Sequence, residues 1–388
     1  MKQLYFIGII GVVTFLYSAI NYYIGIRGWQ AFGNLMTPYK RLYWIIYWFI
    51  VFAFILARLG ERFLSGFGSK HLALIGGYWL AAMYYLLIIV ILIDIIRLLN
   101  RWFKILPGEL TGNASFNLYT GLAVVLLIST VLIFGTWSAR NPQITHYDIT
   151  IPKLAPNLNK LHAVMVSDIH LGNIVDKRRL KDMVERINKI NPDIVFFAGD
   201  IVDENINIFL EQEMTETLKE LRPRLGSFAA MGNHEYIGGH AEDIMHHLED
   251  SGIRVLRDNC EKVADSFYIV GRDELMANNF GGNGRKSLET LLKDIDISLP
   301  IILLDHQPQN LEEPQKAGID LQFSGHTHHG QFFPNNYITG RIFEVDWGYL
   351  EKGNLQVIVS SGYGTWGPPI RIGSRPELVE VFITFGEK

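Results

Sequence analysis

Residues 194–203 read IVFFAGDIVD, a short apolar run that leads into Gly199, Asp200 and Asp203. An apolar run of this length that stops at a glycine is typical of a buried strand. Four more apolar runs of similar length occur in this part of the chain. Residues 177–190, just before the run at 194, have the apolar spacing of a helix. The other runs are residues 161–166, 228–231, 301–304 and 321–323. This alternation predicts one α/β domain.

Each of the five runs ends in a polar cluster. The clusters are Asp168-Ile169-His170, Gly199-Asp200-Ile201-Val202-Asp203, Gly232-Asn233-His234-Glu235, Asp305-His306-Gln307-Pro308 and Gly325-His326-Thr327-His328-His329-Gly330. Because loops at the carboxyl ends of strands converge in an open α/β sheet, we expect the clusters to meet at one site. Their imidazoles, carboxylates and single carboxamide suit manganese, iron or zinc better than calcium or magnesium. We expect manganese first, with iron or zinc as alternatives.

This series of motifs, in this order, resembles the calcineurin-like metallophosphoesterase superfamily over roughly residues 160–385. The tail, residues 361–377 (SGYGTWGPPIRIGSRPE), is similar to the bacterial membrane-associated branch, which includes UDP-2,3-diacylglucosamine pyrophosphatase-like and phosphodiesterase members. The resemblance implies a four-layer α/β/β/α sandwich with two divalent metal ions, here in a domain of residues 157–388.

The resemblance also implies a division of the metal ligands between the two ions. By motif position, the ligands would be Asp168, His170 and His328 for the first ion, Asn233, His306 and His326 for the second, and Asp200 as a bridge between them. The set departs from the family pattern at two places. Glu235 stands where many members have aspartate, and His329 stands where this branch often has glycine.

Four further residues are candidates for catalysis or substrate binding. We expect His234 to stabilise the transition state or to protonate the leaving oxygen. Asp203 resembles the family residue that orients this histidine; alternatively, it is an exposed acid at the start of a helix. Arg371 and Arg375 are expected either to bind substrate phosphate or to pair with acids such as Glu377.

The first third of the chain has a membrane-like composition. Four stretches without charge approach the ~20 residues that span a hydrocarbon core, and they predict four transmembrane helices, at about residues 3–26, 42–57, 72–96 and 116–139. Cleavage of the first stretch as a signal peptide is the alternative. Asp94, close to Arg97, is expected to be an interfacial residue rather than a proton relay. We therefore divide the chain into a membrane domain, residues 1–140, a proline-bearing linker, residues 141–156, and the α/β domain.

Charge is distributed unevenly along the chain. Residues 1–139 carry a net charge of +7 and the remainder carries −11. An acidic domain lacks the clustered lysine and arginine that bind nucleic acid, so we expect no nucleic-acid partner. In the four-helix topology the basic residues that flank the helices number five on the side of the α/β domain and six on the other side. This narrow difference favours an extracytoplasmic α/β domain on a multi-pass inner- or plasma-membrane protein.

These observations predict a membrane-anchored phosphoesterase with two metal ions. We expect it to hydrolyse a phosphodiester or pyrophosphate by attack of a metal-bound hydroxide. A lipid-linked substrate, such as UDP-2,3-diacylglucosamine or a phospholipid, fits the membrane helices. The alternatives are a non-catalytic metal-binding membrane scaffold or sensor, and a phosphatase that acts on soluble or protein substrates.

Overall fold

The computed structural model describes residues 2–60, 66–104, 107, 113–280 and 284–386. The chain divides into two compact units. One unit extends up to Gly135 and includes Pro368–Ile370, and the other comprises Thr136–Gly367 and the residues from Arg371 onward.

The first unit is helical. Its described α-helices are α1 (Lys2–Met36), α2 (Lys40–Gly60), α3 (Gly66–Phe103) and α4 (Ala114–Arg140), the last of which continues into the second unit. A short 3-10 turn with Pro38 separates α1 from α2, because proline lacks the backbone N–H that a continuous helix needs. Three helical stretches of the described chain are long and apolar enough to cross a membrane: Gly8–Gly60, which contains the turn, Gly68–Phe103 and Ala114–Arg140.

A glycine and several polar side chains stabilise the packing of these helices. A Cβ atom at Gly76 of α3 would lie 2.2 Å from the backbone nitrogen of Phe54, so the glycine permits α2 and α3 to pack closely. Asn21 of α1 is fully buried, and the indole nitrogen of Trp79 donates a 2.9 Å hydrogen bond to its Oδ1 atom. The hydroxyl of Tyr47 donates to the Asn21 carbonyl oxygen. Hydrogen bonds between helices of this kind stabilise bundles in lipid.

The second unit contains two six-stranded sheets. The first has the order β1-β12-β2-β3-β4-β5 and the second has the order β10-β11-β9-β8-β7-β6. The strands are β1 (Gln143–Ile151), β2 (Lys160–Val166), β3 (Ile194–Ala198), β4 (Ser227–Ala230), β5 (Ile253–Val255), β6 (Asn259–Val263), β7 (Phe267–Gly271), β8 (Ile301–Leu304), β9 (Leu321–Ser324), β10 (Gly348–Lys352), β11 (Leu355–Val359) and β12 (Glu377–Phe385). The α-helices of this unit that follow α4 are α5 (Lys177–Ile190), α6 (Ile206–Glu211), α7 (Met214–Leu218), α8 (Asn233–Ile237), α9 (Ala241–Asp250), α10 (Leu288–Leu291), α11 (Glu312–Lys316) and α12 (Asn336–Ile342).

The five strands predicted from the apolar runs are confirmed as β2, β3, β4, β8 and β9, and the predicted helix is α5. Neighbouring strands β2, β3 and β4 run parallel, as do β8 and β9 in the other sheet. Parallel neighbours end at the same edge of a sheet, so the loops that follow them share one edge.

Three apolar clusters form the core of this unit. One contains residues of both sheets, such as Phe196 of β3 and Phe323 of β9. A second joins the first sheet to α5 through residues such as Leu180, and a third joins the second sheet to α10 and to Leu311 and Ala317, which flank α11. The alternation along β3 places Phe196 in one cluster and Phe197 in another, as expected for a strand buried on both faces.

The stretch 141–156, which the sequence assigns to a linker, contains strand β1. Each residue of β1 is paired in parallel with β12, from Gln143 opposite Glu377 to Ile151 opposite Phe385. Only the end of β1 is strongly buried, at Ile149 and Ile151. The weak apolar alternation and the flanking prolines explain why the sequence reads as a linker there.

Candidate active site

The expected metal ligands follow directly after the parallel strands. Each lies two to four positions beyond the end of its strand. Asp168 and His170 follow β2, Asp200 follows β3, Asn233 begins α8 after β4, His306 follows β8, and His326 and His328 follow β9. Strands that lie far apart in sequence therefore deliver all seven side chains to one region.

The backbone at this edge adopts conformations that L residues rarely use. Positive φ angles between 50° and 71° occur at Asp168, His170, Asp200, His326 and His328. Each such residue costs on the order of 1–3 kcal/mol, and such strain clusters at functional sites. These backbone conformations direct the ligand side chains toward one another.

Asp168, His170 and His328 form a first ligand group. Their ligand atoms all lie within 4.8 Å of one another, and all three residues are buried. Nε2 of His170 lies 3.0 Å from Nε2 of His328, which lies 3.6 Å from Oδ1 of Asp168. The backbone N–H of His326 donates to the Asp168 carboxylate at 3.0 Å and fixes its position.

Asp200, His306 and His326 form a second ligand group of the same dimensions. The Oδ1 atom of Asn233 joins it, at 2.9 Å from Nδ1 of His326 and 3.2 Å from Nε2 of His306. Nδ1 of His306 lies 2.8 Å from the carbonyl oxygen of Ala198. An N–H there donates to that oxygen, so Nε2 is the ring nitrogen that faces the group.

Asp200 lies between the two groups. Its Oδ2 atom is 3.2 Å from Nε2 of His306 and 3.9 Å from Nε2 of His170. Its Oδ1 atom accepts a 2.9 Å hydrogen bond from the backbone N–H of His234. One carboxylate therefore reaches both groups.

Three of the histidines are electrostatically suited to be neutral ligands. Burial lowers the pKa of His170 to about 3 and the pKa of His326 to about 4. Burial, together with the charge of Arg371, also holds the pKa of His328 well below its usual value. A metal ion binds the neutral imidazole, so low pKa values keep these ligands available at neutral pH.

The pKa values of the two buried carboxylates, Asp168 and Asp200, shift in opposite directions. Burial raises the pKa of Asp168 to about 6. Burial would also raise the pKa of Asp200, but the charge and hydrogen bond of His306 hold it well below its usual value. In turn, Asp200 outweighs the effect of burial on His306 and raises the pKa of that histidine.

His234 lies beside the first group and is not one of its members. Its ring centroid is 4.6 Å from that of His170, and its Nδ1 atom is 3.2 Å from Oδ1 of Asp203. Burial would lower the pKa of His234, but Asp203, Asp200 and Glu204 outweigh burial and raise it to about 9. His170, Asp203 and His234 could themselves hold an ion as a third group.

Glu235 has a positioning role that the sequence does not reveal. Its buried carboxylate accepts hydrogen bonds from the backbone N–H groups of Gly232, Asp200 and Val202, at 2.7, 3.1 and 2.9 Å. It thereby ties the loop after β4 to the loop after β3. Its position three residues beyond Gly232 is the only signal in the sequence, and that signal resembles an ordinary helix start.

Two glycines permit the close approach of these loops. A Cβ atom at Gly232 would lie 2.2 Å from Oδ1 of Asp200, and one at Gly325 would lie 2.1 Å from Oδ2 of Asp168. Any larger residue at either position would displace a carboxylate of the site.

Arg371 does not occupy the place expected for a substrate-binding residue. It is 0% exposed, and it donates to the carbonyl oxygens of Gly362 and Gly364. Its guanidinium also lies 3.0 Å from Nδ1 of His328. The expectation of substrate binding fails because the side chain supports the turn behind the site. Arg375 is exposed.

The side chain of His329 contacts Asp346 and Trp347. Its Nδ1 atom lies 3.0 Å from Oδ2 of Asp346, and its ring packs against Trp347 with centroids 5.2 Å apart. His329 is in none of the three ligand groups found among the described residues. Its φ of 46° explains why glycine suits this position, since L residues seldom adopt that angle.

Several apolar side chains in the segment that follows the last ligands are exposed, which the sequence did not predict. We call them the apolar rim: Phe333, Tyr337, Ile338, Ile342, Trp347 and Trp366. The Trp366 ring lies 6.0 Å from the His234 ring, and its backbone is hydrogen-bonded to the side chain of Gln331. Trp366 is therefore the residue of the rim that lies beside His234.

The donor set fits divalent metal ions. Imidazole nitrogens and carboxylate or amide oxygens converge in two groups, and the Nε2 atoms of His170 and His328 lie 3.0 Å apart. The mixture of nitrogen and oxygen ligands is the one that transition-metal ions accept.

Comparison with known proteins identifies the family. A model of the calcineurin-like phosphoesterases matches residues 161–330. The chain is 34% identical to a transmembrane protein with metallophosphoesterase domain from Danio rerio, over 74% of this chain and 68% of the relative. It is 36% identical to an uncharacterized metallophosphoesterase from Aquifex aeolicus, over 62% of this chain and 91% of the relative. The chain belongs to the calcineurin-like phosphoesterase family.

A solved dimetal phosphatase from Danio rerio is also similar to this calcineurin-like phosphoesterase. The two are 13% identical, with 58% of this chain and 98% of that chain covered, and the TM-score of 0.34 is too low to bear on fold or function. Family membership makes the chain a metal-dependent phosphoesterase. Members use a pair of divalent metal ions. The apolar helices and the relatives named as transmembrane proteins make this one a membrane protein.

Proposed function

We propose that this phosphoesterase hydrolyses a phosphodiester or pyrophosphate bond in a lipid-linked substrate, such as UDP-2,3-diacylglucosamine or a phospholipid. The observation that carries the proposal is that Asp200 lies within 4 Å of a histidine of each ligand group while His234 stands beside them. A site of this form can bind a phosphoryl group and supply a proton to its leaving group.

We assign the ligands as the motif positions suggest. Asp168, His170 and His328 would hold one ion, Asn233, His306 and His326 would hold the other, and Asp200 would contact both. When bound, two divalent ions supply Lewis-acid chemistry and lower the pKa of a water ligand. Manganese is our first choice because the donor set mixes nitrogen with oxygen, and iron or zinc would also fit. Arg371 keeps His328 and the loop 362–364 in place.

His234 is the proposed proton donor. It lies outside the two proposed ligand sets, and Asp203 holds its Nδ1 atom, so Nε2 is the atom that can face the leaving oxygen. The neighbouring carboxylates favour the protonated ring, and a protonated ring stabilises the charge that develops on that oxygen. Asp203 acts as the residue that orients it.

Two features support a lipid-linked substrate. Membrane helices occur in the same chain, and Trp366 of the apolar rim lies beside His234. An exposed apolar surface beside a polar site suits a substrate with both a phosphate and hydrocarbon. A soluble phosphoester would use the polar site without the rim.

The proposal extends to the architecture. We count α1 and α2 as separate spans, which gives four transmembrane helices in a membrane domain of residues 1–140. We assign residues 157–388, together with β1, to the phosphoesterase domain and propose a four-layer α/β/β/α sandwich on the extracytoplasmic side. The distribution of the apolar clusters supports the layers.

The test uses the full chain purified in detergent. We expect hydrolysis of bis-p-nitrophenyl phosphate with added manganese and loss of hydrolysis with a chelator. Asp200→Asn should lower both metal content and rate, whereas His234→Ala should lower the rate about 10²–10⁴-fold and retain the metal. His240→Ala removes an exposed histidine and serves as the control.

Metal-independent turnover would contradict the site, and equal metal loss in the Asp200 and His234 variants would contradict the division of roles. Rates with UDP-2,3-diacylglucosamine, phospholipids and soluble nucleotides then compare the substrate classes. A preference for the soluble nucleotides would overturn the lipid-linked substrate.

A further inference from the structure

The helices of the first unit enclose a cavity of about 580 Å³. Residues of α1, α2, α3 and α4 line it. At one end its lining is polar, and at the other it is apolar. The volume lies within the range of small-molecule sites, roughly 300–1,000 Å³.

The polar end contains three charged residues joined by hydrogen bonds and ion pairs. Arg27 Nη2 lies 2.5 Å from Oδ2 of Asp94, and Arg97 Nη1 lies 3.7 Å from Oδ1 of the same carboxylate. Arg97 also donates a 3.1 Å hydrogen bond to Oδ1 of Asn117. Arg27 donates to Oε1 of Gln30.

The charges at this end do not cancel. Among the described residues that line the cavity, Asp94 is the only acidic one, whereas Arg27 and Arg97 are both cationic. Two guanidinium groups and one carboxylate leave a net charge of +1. In addition, Nε of Arg27 is buried and has no hydrogen-bond partner among the described residues. The end of the cavity is therefore suited to one additional anion.

Most of the remaining lining is apolar and lies along the membrane helices. Arg27 follows the charge-free stretch 3–26, and Asp94 follows the stretch 72–93, so the polar end corresponds to headgroup depth. Ile24, Val90 and Val124 line the rest. Trp79, also in the lining, is 15 residues before Asp94 in α3, or about 20 Å along a helix. That length suits an acyl chain.

We propose that this cavity binds one anionic phospholipid, with its phosphate at Arg27 and Arg97 and an acyl chain along the apolar lining. Free phosphate would satisfy the charge but leave the apolar lining without a partner. Arginine is the side chain best suited to phosphate because its donors form a planar fork. The cavity shares no residue with the ligand groups, so the proposal does not rest on the proposed substrate.

The full chain in detergent is incubated with phosphatidylglycerol or with phosphatidylcholine of the same acyl chains, and the retained lipid is counted by native mass spectrometry. We expect one retained phosphatidylglycerol with about tenfold preference over phosphatidylcholine. Arg97→Gln removes the unbalanced charge and should abolish most of this preference, a loss of about tenfold. Arg101→Gln is the control, because Arg101 lies in the same helix and outside the lining.

Each outcome decides the proposal. Unchanged binding in Arg97→Gln, or an equal loss in Arg101→Gln, would overturn it. Asp94→Asn raises the net charge to +2 and should strengthen binding of phosphatidylglycerol, so weaker binding in this folded variant would also overturn it. Glycerophosphoglycerol, which lacks acyl chains, should not displace the lipid at millimolar concentration; displacement would mean that only the phosphate is bound. Asp200→Asn should retain the lipid, and loss there would contradict a separate site.

Discussion

Single residues at this site are held by contacts that act across long sequence distances. The carboxylate of Glu235 satisfies three backbone N–H groups in two loops. Buried donors that lose their acceptor cost about 1–3 kcal/mol each. The position of Asp200 therefore depends on a residue that does not contact the proposed ions.

Glu235→Ala should destabilise the second unit by at least about 2 kcal/mol and weaken metal binding, because three buried N–H groups lose their acceptor. Thermal proteolysis of the purified chain in chelator measures the loss without a contribution from bound metal. Glu213→Ala, which removes an exposed acid, is the control. A melting temperature equal to that of the control would refute the role of Glu235.

Gly232→Ala should lower metal content and rate together, because the new Cβ atom would meet Oδ1 of Asp200 at 2.2 Å. Gly340→Ala is the matched control, since its Cβ atom would meet nothing closer than 3.8 Å. Metal content is measured by elemental analysis. If both variants bind metal like the unaltered chain, the close approach at Gly232 is not needed.

The sequence reveals the residues of the ligand groups but not the residues that support them. A strand that ends in Asp-x-His can be recognised from local pattern alone. The partners of Glu235 lie 33 and 35 positions away, and Arg371 reaches His328 across 43 positions. Such contacts depend on the folded chain, so the sequence suggested a substrate contact for Arg371 where the structure has a buried support.

At the scale of elements, α5 and β1 show when the spacing of apolar residues predicts secondary structure. α5 has a strong apolar stripe, Leu180, Met183, Val184 and Ile187, and its predicted bounds are confirmed. β1 is polar for most of its length, so the sequence does not reveal its pairing with β12. A helix that covers a sheet can be predicted from the apolar spacing of its own residues. An edge strand such as β1 is identified only by its pairing with the neighbouring strand.

Leu180→Ala in α5 should destabilise the second unit by about 2–5 kcal/mol, because it leaves a cavity against the first sheet. Lys181→Ala changes the adjacent exposed position and should have little effect. Thermal proteolysis compares the two variants. A loss in Lys181→Ala as large as that in Leu180→Ala would contradict the role of Leu180 packing.

At the scale of the whole molecule, chemical labelling of intact cells tests the proposed extracytoplasmic position of the site. We expect Glu249→Cys, in a Cys260→Ser background, to react with a membrane-impermeant maleimide in intact cells. Glu249 is an exposed residue of α9, and Cys260 is the only native cysteine. Tyr39→Cys, between α1 and α2, should react only after permeabilisation. The opposite pattern would place the site in the cytoplasm.

Strand β12 lies between β1 and β2 in the first sheet. Thr145 of β1 meets Glu377 of β12 across 232 positions of the chain. During translation, β1 and β2 leave the ribosome long before the strand that joins them, and until then both present unpaired edges. A nascent chain stalled before residue 377 already carries every proposed ligand but cannot close the sheet. We expect quality-control proteases to remove such fragments, so that ribosome stalling yields no active enzyme.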